Sequence, residues 1–287
     1  MVKKIYVINN SGERELLSKN KIINSAKRSG ASLDLAKKVA DIVTEKVDEE
    51  MTTRKIYALI KKTLLKESPA SGMKYSLKEA IRKLGPTGHW FEKYVADILK
   101  EYGYKTKINQ IVKGRCADFE VDVLLWKDEI KEFSFGECKY HNNPGAKVSI
   151  STILENFASF IDLKDGKLGQ SFVDKKYNLK RAIITNTKFT SKAITYANCY
   201  GVTLLGWKYP KGRGLEYYID GKNLYPVTIL PSVTSLMLEE LYNKNVLLVK
   251  ELLDENVQKK LKKSSLPNVN VGKIVKEAKI LFKEEGF

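Results

Sequence analysis

The chain has 287 residues, of which 43% are hydrophobic and 30% are charged, and its formal net charge is +17. This length allows two or three domains, and three widely spaced cysteines argue against a disulfide framework or a structural zinc site. No apolar run is long enough for a signal sequence or a membrane span, so we expect a cytoplasmic protein with no membrane partner, and the positive charge favours a nucleic acid.

Residues 1–80 are predicted to form a mostly helical domain. A short strand candidate and a turn come first, and three stretches with helical spacing of apolar residues follow. Ser32 is a suitable N-cap for the second helix, because its hydroxyl can accept a hydrogen bond from an amide of the first turn. Residues 68–86 contain two prolines and two glycines, and this composition predicts a linker.

This first segment resembles an ATP-cone domain, a nucleotide-binding regulatory module. The matching features are the first strand with its turn glycine, Lys21 and Ile22 at the start of a helix, the helix TTRKIYALIKKTL, and Tyr75. The resemblance implies that the segment binds ATP or dATP and that Lys21 is a nucleotide-binding residue. The family usually has basic residues before the turn, where this chain has two asparagines, and a helical packing or DNA-contacting domain is the alternative.

Residues 86–225 are predicted to form an α/β domain whose mixed sheet is flanked by helices. An amphipathic helix begins near residue 88 and ends at Gly103, a typical C′ glycine. Two strands follow, CADFEVDVLLW and FSFGECKYHN, and the turn between them predicts a hairpin. Helices and strands then alternate in the order SISTILENFASFIDL, RAIITN, FTSKAITYANCYG and VTLLGW, which is the pattern of an α/β fold.

Residues 226–287 are predicted to be helical again. Two stretches begin with Leu-Pro and look like degenerate helix-hairpin-helix units, a module that binds DNA phosphates through backbone amides. Of the usual hairpin glycines, only Gly272 stands near such a position. A plain helical packing domain is therefore the alternative.

The second predicted strand of the hairpin carries Glu137 and Lys139 on one face, because strand side chains alternate. An acidic residue two positions before a lysine means little alone, since the chain contains seven such triplets. This one is distinguished by its place at the end of an apolar strand, at hairpin distance from Asp122 on the preceding strand. The two carboxylates, with the backbone carbonyl of Cys138, offer the oxygen ligands that Mg²⁺ prefers.

The ordered set of motifs resembles the Mrr-type nucleases of the PD-(D/E)xK superfamily. The set comprises the helix GHWFEKYVADILKEYGY, the acidic strand FEVDVLL, the strand ECKYHN and the later ITN–helix–YGVTLLGW unit. The resemblance implies a restriction-endonuclease-like fold with Asp122 and Glu137 as ligands of Mg²⁺ or Mn²⁺ and Lys139 as the catalytic lysine. Glu92, on the helix, matches a glutamate that often reaches the same centre through water.

Several neighbouring polar residues are open to two interpretations. Glu120 and Asp118 lie on the same strand face as Asp122, and each is either a second ligand or a solvated residue at the strand edge. His141 either contacts a phosphate or metal-bound water or is structural. Gln170 and Asn186 lie near strand or loop ends, and the sequence assigns them no role.

The leading hypothesis is a Mg²⁺-dependent endodeoxyribonuclease, a nucleotide-regulated restriction or repair enzyme that we expect to be a homodimer. Two alternatives remain. One is a nucleic-acid-binding regulator with a nucleotide-sensing head that does not cleave. The other is a metal-dependent enzyme that acts on RNA or on branched DNA junctions.

Overall fold

The structure is a computed structural model that describes residues 4–85, 87–264 and 267–283. The chain forms two compact units, of which the first comprises residues 1–80 and 227–287 and the second comprises residues 81–226. Pro86, at the end of the predicted linker, and Leu266, in the second Leu-Pro stretch, lie outside the described residues. The identities predicted for the flanking segments, ATP-cone-like and helix-hairpin-helix, stay predictions.

The first unit is mostly helical. Its elements are β1 (Tyr6–Ile8), β2 (Arg14–Leu16), α1 (Lys19–Lys27), α2 (Leu33–Thr44), α3 (Thr53–Glu67), α4 (Pro69–Tyr75), α5 (Leu77–Ile81, which ends at the border of the unit), α11 (Ser235–Asn243), α12 (Glu255–Lys262) and α13 (Asn268–Lys283). The two strands pair antiparallel. The predicted N-cap of α2 is confirmed, because the side chain of Ser32 accepts a hydrogen bond from the amide of Leu35.

The prediction of a linker at residues 68–86 is wrong for most of its described part, because helices α4 and α5 occupy residues 69–75 and 77–81. Ser68 caps α4, and Pro69 occupies its first turn, where a proline costs no hydrogen bond. Gly72 allows close packing rather than a turn, since a Cβ atom there would lie 2.5 Å from the backbone nitrogen of Leu65. In this segment, therefore, proline starts a helix and glycine allows close packing, and neither marks a linker.

Gly272 does not lie in a hairpin between two helices. It lies inside α13, and a Cβ atom added to it would meet no other atom within 4 Å. The one glycine that stood near a predicted hairpin position is therefore an ordinary helical residue.

The second unit contains a mixed five-stranded sheet with helices on both faces, as predicted. Its elements are α6 (His89–Glu101), β3 (Lys105–Lys113), β4 (Asp118–Lys127), β5 (Glu132–Lys139), β6 (Lys147–Val148), α7 (Ile150–Asp165), α8 (Lys167–Asp174), β7 (Asn178–Thr185), β8 (Lys188–Phe189), α9 (Ser191–Tyr200), β9 (Thr203–Leu205) and α10 (Leu215–Gly221). The strand order is β3-β4-β5-β7-β9. Strands β3, β4 and β5 pair antiparallel, whereas β5, β7 and β9 pair parallel.

Apolar side chains on β5 bind the helices to the sheet. Phe135 lies against Phe160 of α7, and Phe133 stacks on Phe172 of α8 with ring centroids 3.9 Å apart. On the other face, Phe91 of α6 contacts Tyr140, which directly follows β5. Because Phe133 and Phe135 share a strand face with Glu137, helices α7 and α8 cover the same face on which Glu137 lies.

The edge strand β3 and the helices α8 and α10 were not predicted. Strand β3 alternates exposed and less exposed residues along its length. Two of its four less exposed residues, Thr106 and Gln110, are polar, so the sequence does not show a regular apolar alternation. Among the described residues, the structure has no helix with the length and apolarity that a membrane span requires.

Candidate active site

The pairing of β4 with β5 brings Asp122 and Glu137 together at one end of the ladder. The last residues paired there are Val123 and Gly136, and Asp122 and Glu137 are the next residues along the two strands. The amide of Cys138 donates a hydrogen bond of 2.7 Å to Oδ2 of Asp122 and fixes this carboxylate beside the end of β5.

Gly136 permits this close approach of the strands. A Cβ atom at this position would lie 2.6 Å from Cγ1 and 2.7 Å from the carbonyl oxygen of Val123. Such distances do not occur in folded proteins, so any larger residue must push the strands apart.

Gly136→Ala is therefore expected to destabilise the protein by about 1–3 kcal/mol, because an overpacked core shifts its backbone. Thermal unfolding followed by circular dichroism measures the effect. Gly272→Ala is the matched control, since the added methyl group enters open space on a helix and is expected to stabilise by about 0.5–1 kcal/mol. Equal melting temperatures for the wild type and Gly136→Ala would contradict the role of this glycine.

Two cations neutralise Glu137. Nζ of Lys139 lies 2.5 Å from Oε1, and Nη2 of Arg181 on β7 lies 2.9 Å from Oε2. The side chain of Lys139 is 38% exposed, whereas that of Arg181 is 3% exposed. One oxygen of the carboxylate thus faces an accessible cation and the other a buried one.

Glu92, at the start of α6, joins the same group of acids. Burial and then the charges of Asp122, Glu120 and Glu137 raise the pKa of Glu92 to about 7. Burial and the charge of Glu137 likewise raise the pKa of Asp122 to about 6, although the Cys138 amide opposes the shift. The four carboxyl groups of this site outnumber its two cations, Lys139 and Arg181, which favours a bound external cation.

This excess charge predicts how pH changes the stability of the metal-free protein. A carboxyl group whose pKa is raised by folding destabilises the folded state once it is ionised, so its penalty is absent near pH 4 and fully present above about pH 7. His141 opposes this trend, because burial and Lys139 lower the pKa of its imidazole.

As pH rises from about 5 to about 8, we therefore expect the melting temperature of Glu92→Gln to fall less than that of the wild type. Scanning calorimetry in EDTA at each pH measures both proteins. Mg²⁺ at millimolar concentration is expected to raise the wild-type melting temperature near pH 8, because ligands that bind only the folded state stabilise it. Parallel pH curves for the two proteins would contradict the assigned environment of Glu92.

Cys138, His141 and Asn186 lie at the end of β5 or next to it, and each has a defined place there. Burial and the neighbouring carboxylates raise the pKa of the Cys138 thiol well above its usual value, so this residue is no thiolate nucleophile. The amide of His141 donates to Oδ1 of Asn186 at 2.9 Å, and Nδ2 of Asn186 donates back to the His141 carbonyl at 2.7 Å. Asn186, left without a role by the sequence, thus fixes the segment that follows β5.

Three predicted or considered residues lie outside this cluster or at its margin. Gln170 donates to the backbone carbonyl of Lys164 at 3.0 Å, and so it closes the end of α7. Asp118 is exposed and pairs across the sheet with Lys113. Lys21, in the first unit, forms an exposed ion pair with Glu15 at 2.9 Å.

Two residues of the site, Arg181 and Asn156, were not predicted from the sequence. Arg181 directly precedes the apolar run AII of its strand, and a cation at the start of a buried run requires an anion nearby. That signal was present, but Glu137 lies 44 residues away in the sequence. Asn156 lies on the buried side of α7, and its Oδ1 accepts a hydrogen bond of 3.0 Å from Nε of Arg181.

The donor set fits a hard divalent cation. Asp122 and Glu137 offer carboxylate oxygens in an electrostatically negative site, and Mg²⁺ prefers one or two carboxylates and keeps several waters. Within residues 4–85, 87–264 and 267–283, no three His, Cys, Asp or Glu side chains converge as an all-protein metal cage would require. The fit is thus to an ion held by few side chains and not to a closed structural site.

Comparison with known proteins agrees with the fold. Residues 84–207 match the family Mrr_cat, described as restriction endonuclease, and residues 225–282 match the family AF1548-like, C-terminal. An uncharacterized protein of Archaeoglobus fulgidus is 32% identical over 185 residues, which cover 64% of this chain and 98% of that protein.

Two solved structures are similar. The protein of unknown function AF1548 is 30% identical with a TM-score of 0.56, over 68% of this chain and 98% of that chain. The MspJI restriction endonuclease in complex with a 27-mer oligonucleotide is 15% identical with a TM-score of 0.27, over 47% of this chain and 29% of that chain.

Proposed function

The chain belongs to the AF1548 family and contains an Mrr-type restriction-endonuclease domain, and from this we propose that it is a Mg²⁺-dependent endodeoxyribonuclease. The observation that supports the proposal most strongly is the convergence of Asp122, Glu137 and Lys139 where β4 and β5 pair. These side chains offer what phosphodiester hydrolysis uses, namely oxygen ligands for a metal ion and a cation for the developing phosphate charge.

Asp122 and Glu137 would hold the metal ion, with the Cys138 carbonyl as a third oxygen ligand. When bound, Mg²⁺ would supply a water of lowered pKa and positive charge beside the phosphate under attack. The carboxylates, already fixed in the folded protein, would position that charge before the substrate arrives, so the reaction would need little reorganisation.

Lys139 would act as a cation and not as a general base. Burial lowers its pKa, but the hydrogen bond and charge of Glu137 and the charge of Asp122 outweigh burial and raise the pKa above its usual value. The ammonium group is therefore charged at neutral pH. It can donate to a phosphate oxygen on which negative charge develops.

Glu92 would accept a proton near the site. Its raised pKa, about 7, lets the carboxyl group exchange protons near neutral pH, as a general base or acid must. We propose that it acts through a water molecule, as the resemblance of its helix to the Mrr pattern implies. His141 lies beside Lys139 and would contact a phosphate or this water in its neutral form.

The substrate we propose is DNA, which the net charge of +17 favours through contacts with phosphates. We also propose that the N-terminal segment binds ATP or dATP. Assembly as a homodimer, which would allow both DNA strands to be cut, is a further part of the proposal. Each of these finer points is separable from cleavage itself.

The testing experiment incubates the full chain with supercoiled plasmid, linear duplex, single-stranded DNA, a four-way junction and RNA, in Mg²⁺, Mn²⁺ or EDTA. We expect metal-dependent cleavage of DNA and none in EDTA, and parallel reactions with ATP or dATP measure regulation. Tight DNA binding without cleavage under all these conditions would favour the alternative, a non-cleaving nucleic-acid-binding regulator. Cleavage confined to RNA or to the junction would favour the other alternative.

A further inference from the structure

Arg181 is a charged residue inside the sheet. It lies on β7 opposite Phe135 of β5, and only 3% of its side chain is exposed. A buried guanidinium is costly unless anions and hydrogen-bond acceptors surround it. Its presence next to the buried apolar residues of β7 therefore directs attention to the groups that compensate its charge.

The guanidinium connects Glu137 to α7. Nη2 of Arg181 donates to Oε2 of Glu137 at 2.9 Å and also contacts Oδ1 of Asn156, and Nε donates to the same Oδ1 at 3.0 Å. Nδ2 of Asn156 in turn donates to the carbonyl of Thr152 at 2.9 Å, which fixes the amide. Within the described part of the chain, Nη1 of Arg181 is buried without a hydrogen-bond partner.

The two oxygens of Glu137 therefore differ. Oε2 is bound from inside the protein by a guanidinium that is itself held by Asn156. Oε1 is bound by Lys139, whose side chain is 38% exposed and can turn towards another anion. Of the two oxygens, Oε1 therefore has the more accessible partner and Oε2 the buried one.

We propose that Arg181, aligned by Asn156, is a positioning residue that fixes the Glu137 carboxylate and directs Oε1 to the divalent ion. The inference rests on the metal site of the proposed function and adds the residues that orient its glutamate. Groups that hold a metal ligand in place typically contribute about 10–100-fold to metal affinity or activity.

Arg181→Met separates positioning from charge. Methionine keeps much of the volume and removes the cation, so electrostatics alone would make metal binding tighter, whereas loss of positioning makes it weaker. We expect the Kd for Mn²⁺, measured by calorimetry on the metal-free full chain, to rise by about 10–100-fold. Arg181→Lys is expected to restore part of the affinity, because an ammonium group cannot bridge Glu137 and Asn156 as a planar guanidinium does.

Two further proteins complete the experiment. Arg213→Met is the matched control, since Arg213 is exposed and its replacement is expected to leave the Kd unchanged. Asn156→Ala keeps the ion pair of Arg181 with Glu137 and removes only the side chain that aligns Arg181. It therefore tests the positioning role if Arg181→Met does not fold. We expect Asn156→Ala to weaken Mn²⁺ binding and to lower kcat while DNA binding in EDTA stays unchanged.

The inference would be overturned if folded Arg181→Met bound Mn²⁺ as tightly as the wild type or more tightly. If Arg181→Met does not fold, the same result in Asn156→Ala would overturn it. A wild type that binds neither Mg²⁺ nor Mn²⁺ would also overturn it. If Mn²⁺ binding weakens as expected but the wild type cleaves no DNA, the positioning role stands and the proposed nuclease function fails.

Discussion

Asp122→Asn is expected to abolish DNA cleavage and, in the same protein, to raise the melting temperature measured without metal. The substitution removes one of the two carboxylates proposed to hold Mg²⁺. Loss of a metal ligand removes several kcal/mol of transition-state stabilisation, which corresponds to a rate at least about a thousandfold lower.

The gain in stability follows from the raised pKa of Asp122, about 6, which shows that its ionised form is unfavourable in the folded protein. The amide oxygen of asparagine can still accept the hydrogen bond from Cys138. After screening by solvent, we expect the neutral side chain to stabilise the metal-free protein near pH 8 by about 1–3 kcal/mol, or about 2–4 °C per kcal/mol.

Asp118→Asn is the control for both effects. It makes the same chemical change on the same face of β4, at an exposed position. We expect wild-type cleavage and an unchanged melting temperature. Cleavage at the wild-type rate by Asp122→Asn would remove Asp122 from the proposed site, and a lower melting temperature would contradict the assigned electrostatics.

Lys139→Met is expected to lower the single-turnover cleavage rate by about a hundredfold to a thousandfold, the usual effect of removing one group that stabilises transition-state charge. Metal affinity is expected to stay the same or increase, because Lys139 competes with the metal ion for Oε1 of Glu137. Rapid-quench measurement of cleavage and calorimetric measurement of Mn²⁺ binding test the two statements separately.

Lys180→Met is a control with the same kind of ion pair at the opposite end of the same strands. Lys180 on β7 lies 2.5 Å from Glu132 on β5. Loss of this half-buried pair, which lies far from the proposed site, is expected to change stability by about 1 kcal/mol and to leave cleavage intact. Equal losses of cleavage in the two lysine variants would show that the effect of Lys139→Met is structural.

The strands that build the site were predictable because their apolar and polar residues alternate with a period of two. This pattern placed Asp122 and Glu137 on strands of one hairpin, and the pairing of Val123 with Gly136 confirms that hairpin. Gly103 was predicted as the end of α6, and it adopts a positive φ of 83° just after the helix.

Other features could not be read from local patterns. Strand β3 was missed because two of its four less exposed positions are polar, Thr106 and Gln110, so its apolar residues do not alternate regularly. The segment after Ser68 was misread because proline and glycine occur both in linkers and in tightly packed helices, and only the contact of Gly72 with Leu65 distinguishes the two. The bond between Arg181 and Glu137 depends on the parallel pairing of β5 with β7, which no local signal specifies.

Diffraction from crystals soaked in Mn²⁺, recorded at a wavelength where manganese scatters anomalously, tests the central claim most directly. We predict an anomalous peak bound by the carboxylates of Asp122 and Glu137, and no peak at this place in crystals of Asp122→Asn. A manganese ion held by other residues, or no ion at Asp122 and Glu137 under conditions in which the protein cleaves DNA, would contradict the proposed site.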